Sequence, residues 1–398
     1  MHFRARFVSG FALLALLVAV VASATVTAFA KSDRAGFVYV NDNTAVNTVA
    51  GFDRHSDGSL TPLAGSPFAT GGRGTGTIVG SQGALQIAAG GRFLLAVDAG
   101  SNQVSVLRVR SDGALRQVEG SPVSSGGIEP ISIAVHGSLV YVANEGNGTS
   151  GSDYSGFVLE ESGRLAPLPH STVALPPTAN PGDILFNSTG TSLIGVEVGT
   201  TDPSTFRIDS FRVDEDGRLT AAPDSPFPAQ AAGPFGSEFS PTNPSRLYVS
   251  NAHGGAGNGS VSAFHVAHNG ALSPIGTSPF ADGRTAPCWV EISHDGRYLF
   301  TVNTGSTDIS SYRILADGSL QLLGTTAFRS GKGIRPFDAR LDPSGRNLYV
   351  VDAALKAVSA FSVDGGTLTE LGQSPFSLPA SATPFGIVVT GSTEESDN

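Results

Sequence analysis

A turn signature of the form Gly-x-Leu returns seven times along the chain, at Gly58-Ser59-Leu60, Gly113-Ala114-Leu115, Gly163-Arg164-Leu165, Gly217-Arg218-Leu219, Gly270-Ala271-Leu272, Gly318-Ser319-Leu320 and Gly366-Thr367-Leu368. The steps between its leucines are 55, 50, 54, 53, 48 and 48 residues, a mean of about 51. A second signature keeps the same step: an apolar run that closes on an amide or an acid, at 38–41, 94–98, 139–144, 193–197, 247–251, 299–303 and 348–352. A third, Ser-Pro-Phe or a relative, follows five of the seven turns, at Ser66-Pro67-Phe68, Ser121-Pro122-Val123, Ser225-Pro226-Phe227, Ser278-Pro279-Phe280 and Ser374-Pro375-Phe376. A fixed period of this kind means one structural unit copied along the chain, each copy burying its apolar face against its neighbours.

Each unit reads as four strands. Val290–Ser293 leads through the turn Asp295-Gly296-Arg297 into Tyr298–Asn303; a loop then gives Ile309–Leu315, and Asp317-Gly318 turns into a fourth strand near Leu320–Leu323. Four short strands per period exceed the coil of a strand-rich solenoid, about 30 residues or fewer, and fit a propeller blade. The ends agree. The chain enters at Gly36-Phe37-Val38-Tyr39 on a second strand with no first before it, and leaves at Gly386-Ile387-Val388-Val389 on a first strand with no second after it. The fold expected is therefore all-β: a seven-bladed β-propeller over 36–391 with four antiparallel strands per blade, closed by strand 386–391 pairing with strand 36–41. Closure hides sheet edges that would otherwise be exposed. With 50 Gly and 24 Pro among 398 residues, long helices are disfavoured, since each in a helix interior costs roughly 1–3 kcal/mol. A chain this long ordinarily suggests two or three domains; the repeat makes it one ring.

The formal net charge of −10 lacks the electrostatic footprint of nucleic-acid binding. Residues 1–30 read as a signal peptide, with Arg4 and Arg6, an apolar run from Phe11 to Ala22, and Ala-x-Ala sites at Ala22-Ser23-Ala24 and Ala28-Phe29-Ala30. Cleavage after Ala30 and an extracytoplasmic location, in a bacterial periplasm or outside the cell, are the expectation, with no membrane span thereafter and 392–398 as a disordered tail. Cys288 is the only cysteine, so no internal disulfide forms; beside Pro287 and Trp289 it reads as a small buried thiol. A monomer without cofactor or metal is expected.

The run Gly-Arg-Asn-Leu-Tyr-Val-Val-Asp at 345–352, with Asp-Gly-Ser-Leu at 317–320, resembles the seven-bladed lactonase family, which groups propeller-type 6-phosphogluconolactonases with carboxymuconate cyclases. The resemblance covers nearly all of 36–391 and rests on blade-framework residues. It implies an active site built from a His before one first strand, a Pro-Arg-His element before the next, an Asn-Glu pair after that blade's second strand, and a later Pro-Arg. Asn144-Glu145 matches the Asn-Glu pair, Gly236-Ser237-Glu238 resembles an Ala-Glu-Ile element, and Arg335 beside Pro336 stands in for the late arginine in reversed order. The expected His falls within Gln82-Gly83-Ala84-Leu85, which has none, and Glu129-Pro130-Ile131 stands where Pro-Arg-His is expected.

In a propeller the loops after second strands and the loops between blades gather on one face. That would place Asn41, Asp98, Asn144, Glu145, Glu197, Asn251, Asn303 and Asp352 in a ring, with Glu129, Asp183, Glu238, Arg284, Glu291, Arg335 and Asp338 at the same mouth. Asn and Asp at strand ends commonly cap turns, and that is the ring's ordinary role. Lactone opening needs a general base and a cation or donors for the oxyanion. The candidate catalytic residues are Glu145 or Glu238 as base, Arg335 as anion clamp, Asn144, and His253 in its glycine-rich loop as proton shuttle. The same oxygens could hold a Ca²⁺ ion, though no compact ligand loop is present. His136 and His294 fall in turns on the opposite face. No Gly-x-Ser-x-Gly elbow, His-Glu-x-x-His or cysteine pair occurs. Two functions stand: a secreted hydrolase acting on a sugar-acid or related lactone, or a non-catalytic extracellular propeller that binds a glycan, small ligand or protein through the loops of 146–261.

Overall fold

A computed structural model describes residues 1–2, 33–331 and 333–391; residues 3–30 of the expected signal peptide and the expected tail lie outside the described residues. From Arg34 onward the chain forms seven antiparallel sheets in a ring. Blade 2 runs from inside to outside through Leu85–Ala88, Phe93–Asp98, Gln103–Val109 and Leu115–Gln117. Blades 3 to 7 repeat that order, with inner strands Pro130–His136, Pro181–Phe186, Pro234–Ser240, Pro287–Ile292 and Pro336–Leu341. Blade 1 is completed by the C-terminus: Phe385–Val389 pairs antiparallel with Arg34–Asn41, Tyr39 opposite Val388.

The repeated signatures have a mechanical reason. Tyrosines on second strands reach the Gly-x-Leu turn of the next blade, Tyr39 to the Gly113 carbonyl (2.7 Å), Tyr141 to Gly217 (2.9 Å), Tyr248 to Gly318 (3.0 Å) and, across the closure, Tyr349 to Gly58 (2.9 Å). Gly113 has φ +81°, and a Cβ there would lie 2.3 Å from the Phe37 ring; only glycine accepts both the left-handed backbone and the approach. The Ser-Pro element breaks the outer strand into two pieces. At each break the serine hydroxyl accepts the third-strand N–H that would otherwise be orphaned, as in Gly51 to Ser66 (2.9 Å), Val106 to Ser121 (2.8 Å) and Ala263 to Ser278 (2.7 Å). Blade 3 uses Ser171 without a following proline. Blade 6 has no such serine and its outer strand, Leu320–Ala327, is continuous.

Blade 7 is stitched to blade 1 by a buried ion pair, Arg54 to Asp342 at 3.0 Å. Phe385, Ile387 and Val388 are buried, and each such side chain contributes about 1.5–3 kcal/mol. Ending the chain at Pro384 is therefore expected to remove most of a typical domain stability of roughly 5–15 kcal/mol. Thermal unfolding followed by circular dichroism should lose its cooperative transition; an unchanged melting temperature would contradict closure as a source of stability.

Candidate functional site: an axial carboxylate cavity

Backbone hydrogen bonds tie each inter-blade loop to the corner after the second strand it accompanies: Glu145 N–H to Glu129 (2.9 Å), Ala252 N–H to Gly233 (2.7 Å) and Ala353 N–H to Arg335 (2.9 Å). These loops share one face, the loop mouth, and the turns after inner strands form the other. Four of the five candidate residues belong to the mouth. Asn144 is a corner brace, fully buried, its Nδ2 donating to Asp153 (2.9 Å) and the Ser125 carbonyl (3.2 Å). Burial, then the neighbouring Glu129, pushes the Glu145 carboxyl up to about 7. Glu129 has a left-handed backbone, φ +56°. Arg335 is exposed, its guanidinium 5.4 Å from the centre of the Phe337 ring. His253 sits on Gly233, and partial burial lowers its pKa. Among the described residues, no side-chain hydrogen bond or ion pair joins Glu145, Arg335 and His253, which approach the mouth from blades 3, 7 and 5.

Glu238 lies elsewhere. The inner strands of blades 3 to 7 each open on proline, a first-strand position that needs no N–H donor, and a register shift follows each proline, as between Pro181 and Asp183 or Pro287 and Trp289. Such bulges re-aim the side chains beside them. Asp183, Glu238, Glu291, Asp338 and Arg340 come from the inner strands of blades 4 to 7, and all but Asp338 line one axial cavity of about 300 Å³. Pro241 and His294, in the turns after their inner strands, are at its outer end, so it opens on the face opposite the loop mouth. The expectation that Asp183, Glu238, Glu291 and Asp338 sit in the mouth is corrected here: they lie mid-strand, deeper along the axis.

Most of this cluster is committed to holding blades together. Asp183 accepts from Ser237 through N–H (2.9 Å) and hydroxyl (2.7 Å). Asp338 accepts from Ala339 N–H (2.9 Å), and Glu291 from Leu341 N–H (2.9 Å) and Arg340 Nη1 (3.1 Å). Arg340 also lies 3.8 Å from Asp338. Glu238 alone among these carboxyls makes no hydrogen bond in the described structure. Desolvation and the charge of Glu291 raise its pKa, against Arg340, to about 8. The acids around Arg340 hold its pKa above the ordinary arginine value despite burial. A separate pair, Glu197 and Asp209, is likewise raised by burial, but Tyr154 donates to Asp209 (2.9 Å) and the two carboxyls share a hydrogen bond inside blade 4.

An aromatic layer crosses the ring on the mouth side of the cavity. Trp289, 2% exposed, reaches from blade 6 to donate to the Ser81 carbonyl before blade 2 (2.8 Å). Its ring packs on Phe235 (5.2 Å between centres) and Phe337 (4.8 Å). Cys288 is buried beside this layer, and its thiol is pushed up to about 12 by burial. Arg340 and Gln82 were missed by sequence reasoning. The signal for Arg340 was present: an arginine inside the apolar strand Phe337–Leu341 must be paired. Among the described residues no three His, Cys, Asp or Glu side chains are arranged to hold a metal ion, and no helix is long and apolar enough to cross a membrane.

The family model described as lactonase, 7-bladed beta-propeller, matches residues 20–179 and 198–384. Similar solved structures include a candidate 6-phosphogluconolactonase of Bacteroides uniformis, 20% identical with a TM-score of 0.71, covering 90% of this chain and 99% of that one. A second, from Bacteroides fragilis, is 19% identical with a TM-score of 0.70 over the same shares. The periplasmic gluconolactonase of Pseudomonas aeruginosa is 19% identical with a TM-score of 0.67, covering 89% and 99%. No curated protein matches significantly. At these identities the neighbours speak for the fold, and the matched family model for membership: the chain belongs to the lactonase family of seven-bladed β-propellers.

Proposed function

We propose that the protein hydrolyses a small, uncharged lactone in the axial cavity, with Glu238 as general base. The observation that carries this reading is that Glu238 faces the cavity without a hydrogen bond, beside Arg340. Its carboxylate takes a proton from water, the water oxygen bonds to the lactone carbonyl carbon, and the ring C–O bond breaks. The departing alkoxide recovers the proton from Glu238. Arg340 commits Nη1 to Glu291 and the Ala339 carbonyl. Its Nε and Nη2 donors make no hydrogen bond in the described structure and serve the carbonyl oxygen as charge develops.

One guanidinium among several carboxylates opposes a phosphorylated substrate, and about 300 Å³ lies at the small end of ligand sites. An aldonolactone of one sugar unit suits both limits. The N-terminal segment supports export, away from phosphorylated cytosolic lactones, and the net charge of −10 supports a monomer through self-repulsion between copies. Acid release from glucono-δ-lactone and from its 6-phosphate tests the reading. Acceleration of the uncharged lactone, with the phosphate at least about tenfold slower, is expected from like-charge repulsion at a partly buried site; no acceleration of either would overturn it.

A further inference from the structure

The four axial carboxylates come from four separate blades, yet one dipeptide at the entry to blade 2 touches the framework of each. Gln82 N–H donates to the Gly182 carbonyl (3.0 Å), one residue before Asp183. Its side-chain Nε2 donates to the Ser237 carbonyl (2.7 Å), one residue before Glu238, and its Oε1 accepts Val290 N–H (3.0 Å), one residue before Glu291. Gly83 N–H points to Asp338 Oδ2 at 3.4 Å. Gln82 is 2% exposed and lines the cavity itself. Both ends of its amide are used, and the two partners fix which end is which: a carbonyl can only accept, an N–H only donate.

We infer that Gln82 is a positioning residue for Glu238, its amide clamping the inner strands of blades 5 and 6 from across the axis so that the Glu238 carboxyl is held in the cavity at a set separation from Glu291 and Arg340. The role rests on the assignment of Glu238 as base, though the clamp can be tested without it. Each of these inner strands is the edge of its sheet, so the backbone groups it turns toward the axis have no ladder partner, and the Gln82 amide supplies one to Ser237 and to Val290. The amide also fills the space a side chain on Gly236 would take, 2.3 Å from an ideal Cβ, so the strand approaches closely enough for the bond.

Gln82→Met keeps the length and volume and removes both side-chain hydrogen bonds. In the full chain labelled with carboxyl-¹³C glutamate, with the Glu238 resonance identified by its loss in Glu238→Gln, the Glu238 titration midpoint is expected to move by about one unit or more in Gln82→Met. With lactone as substrate, kcat is expected to fall about 10- to 100-fold with KM changed less than about twofold, the pattern of a group acting on the transition state through another. Gln82→Asn, which stays neutral and falls one methylene short of Ser237 and Val290, is expected to shift the Glu238 midpoint in the same direction, and serves if Gln82→Met does not fold. An unmoved Glu238 titration in a folded variant would overturn the inference. If the wild-type protein opens no lactone, the base assignment fails, and the titration alone decides whether Gln82 sets the state of Glu238.

Discussion

Replacing Glu238 by Gln is expected to lower the rate of lactone opening by about 10²- to 10⁴-fold, the range that removal of a general base produces, while the protein remains folded. The amide is isosteric and carries no charge, and the wild-type carboxyl makes no hydrogen bond whose loss would loosen the strand. The pH dependence follows from the same group. Burial and Glu291 hold its pKa near 8, and the base acts ionised, so kcat/KM is expected to climb through that pH and level off above it. The same carboxyl is protonated in the fold where the unfolded chain is already ionised. Its contribution to stability is fully present below the ordinary carboxyl pKa and is lost as pH rises through about 8. Glu238→Gln should therefore melt less pH-dependently than wild type between pH 6 and 9. Activity retained in Glu238→Gln, or a rate with no step near pH 8, would move the base elsewhere, with Glu145 the next candidate.

Arg340→Met is expected to cost about 3–5 kcal/mol, the usual loss when one partner of a buried ion pair is removed, measured as a shift in the denaturant midpoint. The guanidinium is the cation of the axial cluster, with Glu291 at 3.1 Å and Asp338 at 3.8 Å. Without it these carboxyls keep their desolvation and lose their attraction, so their pKa values rise further. Groups raised in the fold stabilise at pH below their unfolded values and lose that contribution as pH increases. The variant should approach wild type near pH 4 and fall behind progressively toward pH 8. A uniform loss across pH would assign Arg340 a packing role instead of an electrostatic one.

Much of the ring is legible in the sequence because each signature answers a local demand. Gly113 is required where Phe37 and Tyr39 of the preceding blade press on a left-handed turn, and the left-handed glycine recurs at Gly58, Gly163, Gly217, Gly270 and Gly318. The serine of Ser-Pro is required where the outer strand breaks, and its absence at Leu320–Ala327 goes with an unbroken strand. The ring's closure could be read from which strand the chain lacks at each end, to within one or two residues of the Phe385–Val389 pairing.

The site was less legible, for two physical reasons. Bulges after the inner-strand prolines shift side-chain direction, so alternation from Pro234 or Pro336 does not tell which residues meet the axis. The contacts that organise the cavity also cross the ring: Gln82 meets Ser237 and Val290 at separations of 155 and 208 residues, which no local pattern encodes. Glu238 was found through a short motif resemblance. Arg335 and Arg340 lie five residues apart, and only the structure distinguishes the one stacked on Phe337 at the mouth from the one inside the carboxylate cluster.

The axial cavity as the catalytic site is tested most directly by a crystal structure of Glu238→Gln soaked with glucono-δ-lactone. The account predicts the ring bound between residue 238 and Arg340 on the side of His294 and Pro241, below the Trp289 layer. Lactone bound instead at the loop mouth, beside Glu145 or Arg335, would contradict it.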